Sequence, residues 1–356
     1  MSIQAQQAGP IRLAQPAALA IEAAGLVKTY PKDVRALDGL SFSVVTGTVF
    51  GLLGPNGAGK STTVKILTTL AQADSGSAAV AGLDVRTQPA RVRRVIGVVA
   101  QRSGSDPVAT GRENLLLSGR IQGLRGRTLS QRADELLSRF ALADAAGRQV
   151  RTYSGGMQRR LDVAMGLIHR PQVLFLDEPT AGLDPESRSA MWEEIARLSA
   201  GEGLTILLTT HYLEEADRLA SQLAIVDRGR VVAAGTPDEL KGGLHGDTVQ
   251  IELATPGVPD QVHSALARVP GIRETGIAGR LVSTRADDGA TAVPALLAAL
   301  DHAGIAVHGV TAARPSLDDV YLRVTGRRFA DAEQPTAGQP TPSQPALSGT
   351  PTGGSR

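Results

Sequence analysis

The stretch GPNGAGKS, residues 54–61, constrains this chain more than any other, because a phosphate cradle of this kind needs a strand before it and a helix after it. Both are present. TVFGLLG, which leads into it, is a short apolar run, and KSTTVKILTTL, which continues it, carries apolar positions at Val64, Ile66 and Leu67. Glycines let such a loop curl until successive backbone N–H groups face an anion at the helix N-terminus. Gly54, Pro55, Asn56, Gly57, Ala58 and Gly59 form the predicted cradle for ATP, with Thr62 in the first helical turn. Lys60 is expected to reach the β and γ phosphates, and the Ser61 hydroxyl to ligate Mg2+.

VLFLDEPT supplies a second half to this site. Asp177 closes a buried strand and is placed to hold Mg2+ through water, while Glu178 can polarise an attacking water as general base. Two adjacent carboxylates at a strand end are costly to keep ionised without a cation nearby. A further stretch, TYSGGMQRRLDVA, reads as another phosphate-binding helix start, with a small hydroxyl residue and two glycines. Arginines follow in its first turn, where a cation is unfavourable unless an anion is held there too. Arg159 and Arg160 read equally well as solvated surface or as functional groups.

The body of the chain alternates strand and helix. RVIGVVAQ (94–101), VLFLDE (173–178) and TILLTTH (205–211) are continuous apolar runs, as expected of parallel strands covered on both faces. LAIVDRGRVVAAG predicts a hairpin turning at Arg228 and Gly229, and helical patterning dominates from Ala109 to Gly147. After residue 246 the order becomes β-α-β-β-α-β, that of a small α+β domain of the split βαβ kind. The expected organisation is an arm over 1–20, an ATP-binding domain over 21–245 with a helical insert at about 105–165, a C-terminal domain over 246–329 and a tail over 330–356. Both ends are expected to be disordered: the first is rich in Ala, Gln and Pro, the second in Pro, Gly, Ser and Thr.

Composition narrows the class. The chain has 356 residues and no cysteine, which excludes disulfides, thiolate metal sites and a cysteine nucleophile. No run approaches the roughly 18 to 20 apolar residues of a membrane span, and the first residues lack a secretion signal, so a cytoplasmic protein is expected. A net charge of +2 with only 3% aromatic residues argues against a nucleic-acid partner.

Over residues 21–240 the chain resembles the ATP-binding subunits of ABC transporters. YSGGM (153–157) is similar to the family signature, which usually opens with leucine, and AGLDP (181–185) matches the loop after the second carboxylate. The fold the resemblance implies is α/β: a P-loop ABC ATPase domain with a mixed sheet and a helical insert. It implies that Gln101 couples the nucleotide to a membrane partner and touches Mg2+ or water. Likewise His211 would contact the γ-phosphate, Tyr30 would stack on adenine, and Asp184 would be the acidic member of its loop. It implies too that two copies meet head to tail, the Ser154, Gly155 and Gly156 helix start of one capping the phosphate held by the other. RPSLDDVYLRVTGRR (314–328) and ATGRENLLLSGRIQGL (109–124) resemble the daunorubicin-resistance type, which implies a drug exporter working at the cytoplasmic face of the cell membrane with a permease of about six spans. Two other readings are a soluble ABC-type ATPase acting in translation or DNA repair, and an ATP-switched regulatory protein. The single ATPase unit and the absence of a long coiled-coil insert weigh against the first, the intact Glu178 and His211 against the second.

Overall fold

The computed structural model describes residues 18–244, 246–256 and 258–333. The N-terminal arm and nearly all of the tail fall outside them. The first elements are antiparallel, β1 (Leu19–Tyr30) and β2 (Val34–Val45), followed by β3 (Val49–Leu53) and α1 (Lys60–Leu67). Two short strands, β4 (Ser75–Val80) and β5 (Leu83–Asp84), complete a sheet of order β2-β1-β4-β5. Its inner face, including Leu26, Leu37, Leu40 and Val80, packs with Phe50, Leu52, Ile66 and Phe175 into one core. That core fixes α1, and with it the phosphate loop, between two sheets.

Then come α2 (Pro89–Val95), β6 (Ile96–Val99), α3 (Gly111–Ile121), α4 (Gly126–Arg139) and α5 (Gly155–Leu167). The helical insert starts on a capping box, in which Thr110 accepts from the Glu113 N–H and Glu113 reaches back to Thr110. Leu115, Leu129, Leu136, Phe140 and Leu161 form the apolar centre between its helices. The chain returns through β7 (Val173–Asp177), α6 (Pro185–Glu202), β8 (Thr205–Thr210), α7 (Leu213–Leu219), β9 (Gln222–Asp227), β10 (Arg230–Gly235) and α8 (Pro237–Gly242). The central sheet has the order β10-β9-β3-β8-β7-β6 and is parallel except for β10. All five residues of β3 and all six of β8 are buried, which is why their sequences show no alternation. The β9–β10 hairpin turns where the sequence predicts, with Arg228 and Gly229 both at positive φ, as the tight hairpin turn favoured by strand twist requires.

The C-terminal unit consists of β11 (Asp247–Leu253), α9 (Pro259–Leu266), β12 (Ile272–Ala278), β13 (Leu281–Ala286), α10 (Gly289–His302) and β14 (Val307–Ala313). Its sheet runs β12-β13-β11-β14, so β13 lies between the two strands that α9 connects, the split βαβ arrangement. The next segment departs from the expected boundary. α11 (Leu317–Thr325) and α12 (Phe329–Glu333) leave this sheet and pack on the ATP-binding domain, where Leu317, Val320, Tyr321 and Phe329 share a core with Leu53, Ala216, Leu223 and Ile225. The apolar stripe of α11 matches that surface, and the small sheet already covers its own inner face with α9 and α10. We therefore propose that the small domain ends at β14, and that residues 317–333 belong with the first domain rather than with the unit 246–329.

Candidate active site

Four chemical groups arrive from the C-terminal ends of neighbouring parallel strands, where ligands bind in sheets of this kind. β3 delivers the phosphate loop, β7 delivers Asp177 and Glu178, β8 leads to His211, and β6 leads to Gln101. Gly54 has no room for a side chain: a Cβ there would stand 2.3 Å from the Val226 carbonyl oxygen. Gly59, the N-cap of α1, takes φ +108° and would bring a Cβ within 2.6 Å of the Ala36 oxygen. The first turn of α1 has neither a side-chain cap nor an acidic residue, so its orphan N–H groups are available to an anion. Asn56 and Gly57 are exposed at the loop tip, while Pro55 and Ala58 are buried and Thr62 is half-buried.

Lys60 is 4% exposed; its Nζ donates to the Gly54 oxygen at 2.6 Å and the Pro55 oxygen at 3.1 Å. It also lies 3.6 Å from Glu178 Oε1. Glu178 is the centre of the cluster, buried and held at φ +49°, a left-handed conformation that costs free energy for a side chain other than glycine. Gln101 Nε2 donates to its Oε2 at 3.0 Å. His211 Nδ1 stands 3.3 Å from its Oε1, a contact that is ionic only when the imidazole is protonated and that is too poorly aligned to count as a hydrogen bond. The His211 contact, then the Lys60 ammonium, hold the Glu178 carboxyl below its ordinary value although burial pushes the other way. Glu178 is thus an ionised acceptor at neutral pH.

Asp177 and Ser61 meet across the loop, the hydroxyl 3.2 Å from Oδ1. Thr209, which no motif marks within its buried strand, donates to the same oxygen at 2.6 Å. Its hydroxyl also accepts from the Glu178 N–H at 3.1 Å, so one threonine fixes both carboxylate residues. A hydroxyl and a carboxylate converging at the phosphate loop are hard oxygen donors of the kind Mg2+ takes. Among the described residues no cluster of three or more His, Cys, Asp or Glu could hold a metal, so the remaining ligands would come from phosphate and water.

The other predicted residues lie apart from this cluster. Ser154 caps α5, its Oγ accepting from the Met157 N–H at 3.2 Å, and the first turn has no acidic residue. Gly155 and Gly156 face the start of α6: a Cβ would lie 3.7 Å from Leu183 at the first and 2.6 Å from the Ser187 hydroxyl at the second. Asp184 caps α6 through the Ser187 N–H at 2.9 Å, a bond that lowers its pKa. Tyr30 closes β1, half-buried, with Lys28 Nζ 5.7 Å from its ring centre. The open question over the arginines resolves unequally. Arg159 is buried and spent on backbone carbonyls, whereas Arg160 is half-buried.

Sheet order, phosphate loop and helical insert together define an ATP-binding cassette. Comparison with known proteins carries this to a family. Residues 37–181 match the ABC transporter family model, and residues 235–325 match the model of the C-terminal domain of DrrA1-3-like ATP-binding proteins. The chain is 48% identical to the daunorubicin resistance ATP-binding protein DrrA2 of Streptomyces coeruleorubidus, across 88% of this chain and 97% of the relative. It is 40% identical to the Nod factor export ATP-binding protein I of Ralstonia nicotianae, across 86% and 94%. A solved ATP-binding subunit of an ABC transporter superposes with a TM-score of 0.57 at 29% identity, covering 63% of this chain and 92% of that structure. The chain belongs to the ATP-binding proteins of ABC transporters, in the DrrA-like group.

Proposed function

We propose that this chain is the ATP-hydrolysing engine of an exporter for drugs or other amphipathic molecules, acting through a separate membrane permease. The observation that carries it is the convergence of Lys60, Gln101 and His211 on the ionised carboxylate of Glu178. Lys60 and the N–H groups of the phosphate loop bind the triphosphate, and Ser61, Asp177 and Gln101 would hold Mg2+, which would supply neutralisation of phosphate charge. Glu178 accepts a proton from the attacking water, Gln101 orients that water, and His211 contacts the γ-phosphate. Tyr30 supports adenine and Asp184 belongs to the loop beside the second subunit. Relatives named for daunorubicin and for Nod factor share most of this chain's length, which supports placing cargo selection in the permease.

The start of α5 supports a head-to-tail dimer. Its N-terminus has free N–H groups, no acid in its first turn and glycines that face α6. In this reading Ser154, Gly155 and Gly156 cap the γ-phosphate held by the second copy. The permease, with about six spans, docks in a groove of about 320 Å3 beside Gln101, lined by Leu70, Val98, Ala100, Ser118, Met165 and Gly166. Leu70 and Val98 there remain 72% and 37% exposed, apolar surface suited to a partner. Among the described residues no helix is long and apolar enough to cross a membrane, and attachment to the cytoplasmic face is through this partner.

Glu178→Gln tests the assignment. The amide keeps the shape and loses the base, so the variant should bind MgATP normally while hydrolysis falls by roughly 100- to 10,000-fold. Wild-type turnover in purified variant would remove Glu178 from the mechanism.

A further inference from the structure

The helix that carries the signature also grips the loops of its own active site. Arg159, in the second turn of α5, is 7% exposed and makes four bonds to backbone oxygens. Nε donates to Pro179 at 2.7 Å and Nη1 to Ala100 at 2.6 Å, while Nη2 donates to Asp177 at 3.0 Å and Glu178 at 3.2 Å. One helical turn further on, Asp162 Oδ1 accepts from the Ser103 hydroxyl at 2.8 Å and the Gly104 N–H at 3.3 Å. Two residues on one helix face thus hold both sides of Gln101 and the whole turn that carries Glu178. Burying a guanidinium is unfavourable, and desolvation here lowers the Arg159 pKa; it is tolerated because the carbonyls replace water at the cation.

We propose that Arg159 is a positioning residue for hydrolysis, with Asp162 as its second anchor. Glu178 sits at positive φ where the chain leaves the sheet, and its carbonyl accepts from the Ala181 N–H at 3.2 Å as well as from Arg159. Only a planar fork with several fixed N–H groups reaches carbonyls on two separate strand ends at once; a lysine ammonium cannot span them. The clamp makes α5, the Gln101 segment and the Glu178 turn move as one body. It rests on the reading of Glu178 as general base, and it adds that the base is placed from the signature helix.

The test uses Arg159→Lys in the full chain, alone and combined with Glu178→Gln. Displacing the base by about an ångström costs roughly 100-fold in rate. The kcat of Arg159→Lys should fall by about that factor, while the affinity for a fluorescent ATP analogue stays within about twofold. In the Glu178→Gln background the lysine should produce no further loss in single-turnover phosphate release, because the group it positions is already gone. Parallel losses of affinity and kcat, a full additive loss in the double variant, or an unchanged kcat would each overturn the proposal. Failure of the Glu178 reading is separate, since it shows in Glu178→Gln alone. Should Arg159→Lys not fold, Ser103→Ala removes only the exposed leg to Asp162 and should lower kcat by about fivefold at unchanged affinity; an unchanged kcat there also overturns it.

Discussion

Tyr321→Ala should unfold the link between the C-terminal segment and the phosphate loop. Tyr321 is 0% exposed and packs edge-on against Phe329, with ring centres 4.9 Å apart. Its hydroxyl donates to Asp227 Oδ1 at 3.1 Å, and Arg327 donates to the same oxygen at 2.7 Å. Removing the ring leaves a cavity against Leu53 and Ile225 and costs about 3–5 kcal/mol, as aromatic truncations in cores do. Tyr321→Phe removes only the hydroxyl, and because Arg327 still serves Asp227 the cost should be about 1 kcal/mol. The two variants should also separate in ATP affinity. Asp227 ends β9 just before the turn whose Gly229 N–H donates to the Ala58 oxygen at 2.9 Å, inside the cradle. Urea unfolding and titration with a fluorescent ATP analogue measure both effects. The reasoning fails if the alanine variant is as stable as the phenylalanine variant, or if it loses stability with no change in nucleotide binding.

Mixing Lys60→Ala with Ser154→Arg, each inactive alone, should restore some ATPase activity, because in a head-to-tail heterodimer both defects fall in one site. Absence of rescue, together with a Glu178→Gln chain that stays monomeric at saturating MgATP by light scattering, would refute the shared site. Burial and the neighbouring Asp227 carboxylate push the Tyr321 hydroxyl from 10.0 up to about 12. The unfolded chain therefore loses this proton first, and the tyrosine's contribution to stability, complete below pH 10, is lost as pH rises through about 12. The difference in absorbance titration between wild type and Tyr321→Phe should show that late step; a component titrating at the ordinary value contradicts it.

What the sequence disclosed follows from how local each signal is. The phosphate loop, the buried strands and the β9–β10 turn depend on neighbours in sequence, and each was legible. The first sheet was not, because β1 shifts register against β2 between Ala23 and Leu26 and again near Lys28, which breaks the period of two. Arg159 gave no sign of burial, since its four acceptors lie on strand ends far along the chain. The return of α11 was equally hidden: an amphipathic helix states that it has an apolar face but not which surface covers it.

Charge is the physical argument for the proposed second copy at the site. Lys60 is the only lysine or arginine ion-paired with Glu178 among the described residues, and its ammonium also satisfies two carbonyls of its own loop. Arg159, the other buried cation nearby, has its guanidinium bound to carbonyls and cannot reach a phosphate without releasing the turn that holds Glu178. A γ-phosphate arriving here brings negative charge to a buried carboxylate, and within one chain Lys60 and the N-terminus of α1 offset it from one side. The positive dipole end of α5, whose first turn holds no acidic residue, is a further complement. Within one chain Gly155 and Gly156 pack against the start of α6. In the proposed head-to-tail dimer a second copy presents this helix end, which makes closing the dimer and completing the electrostatics of hydrolysis one event.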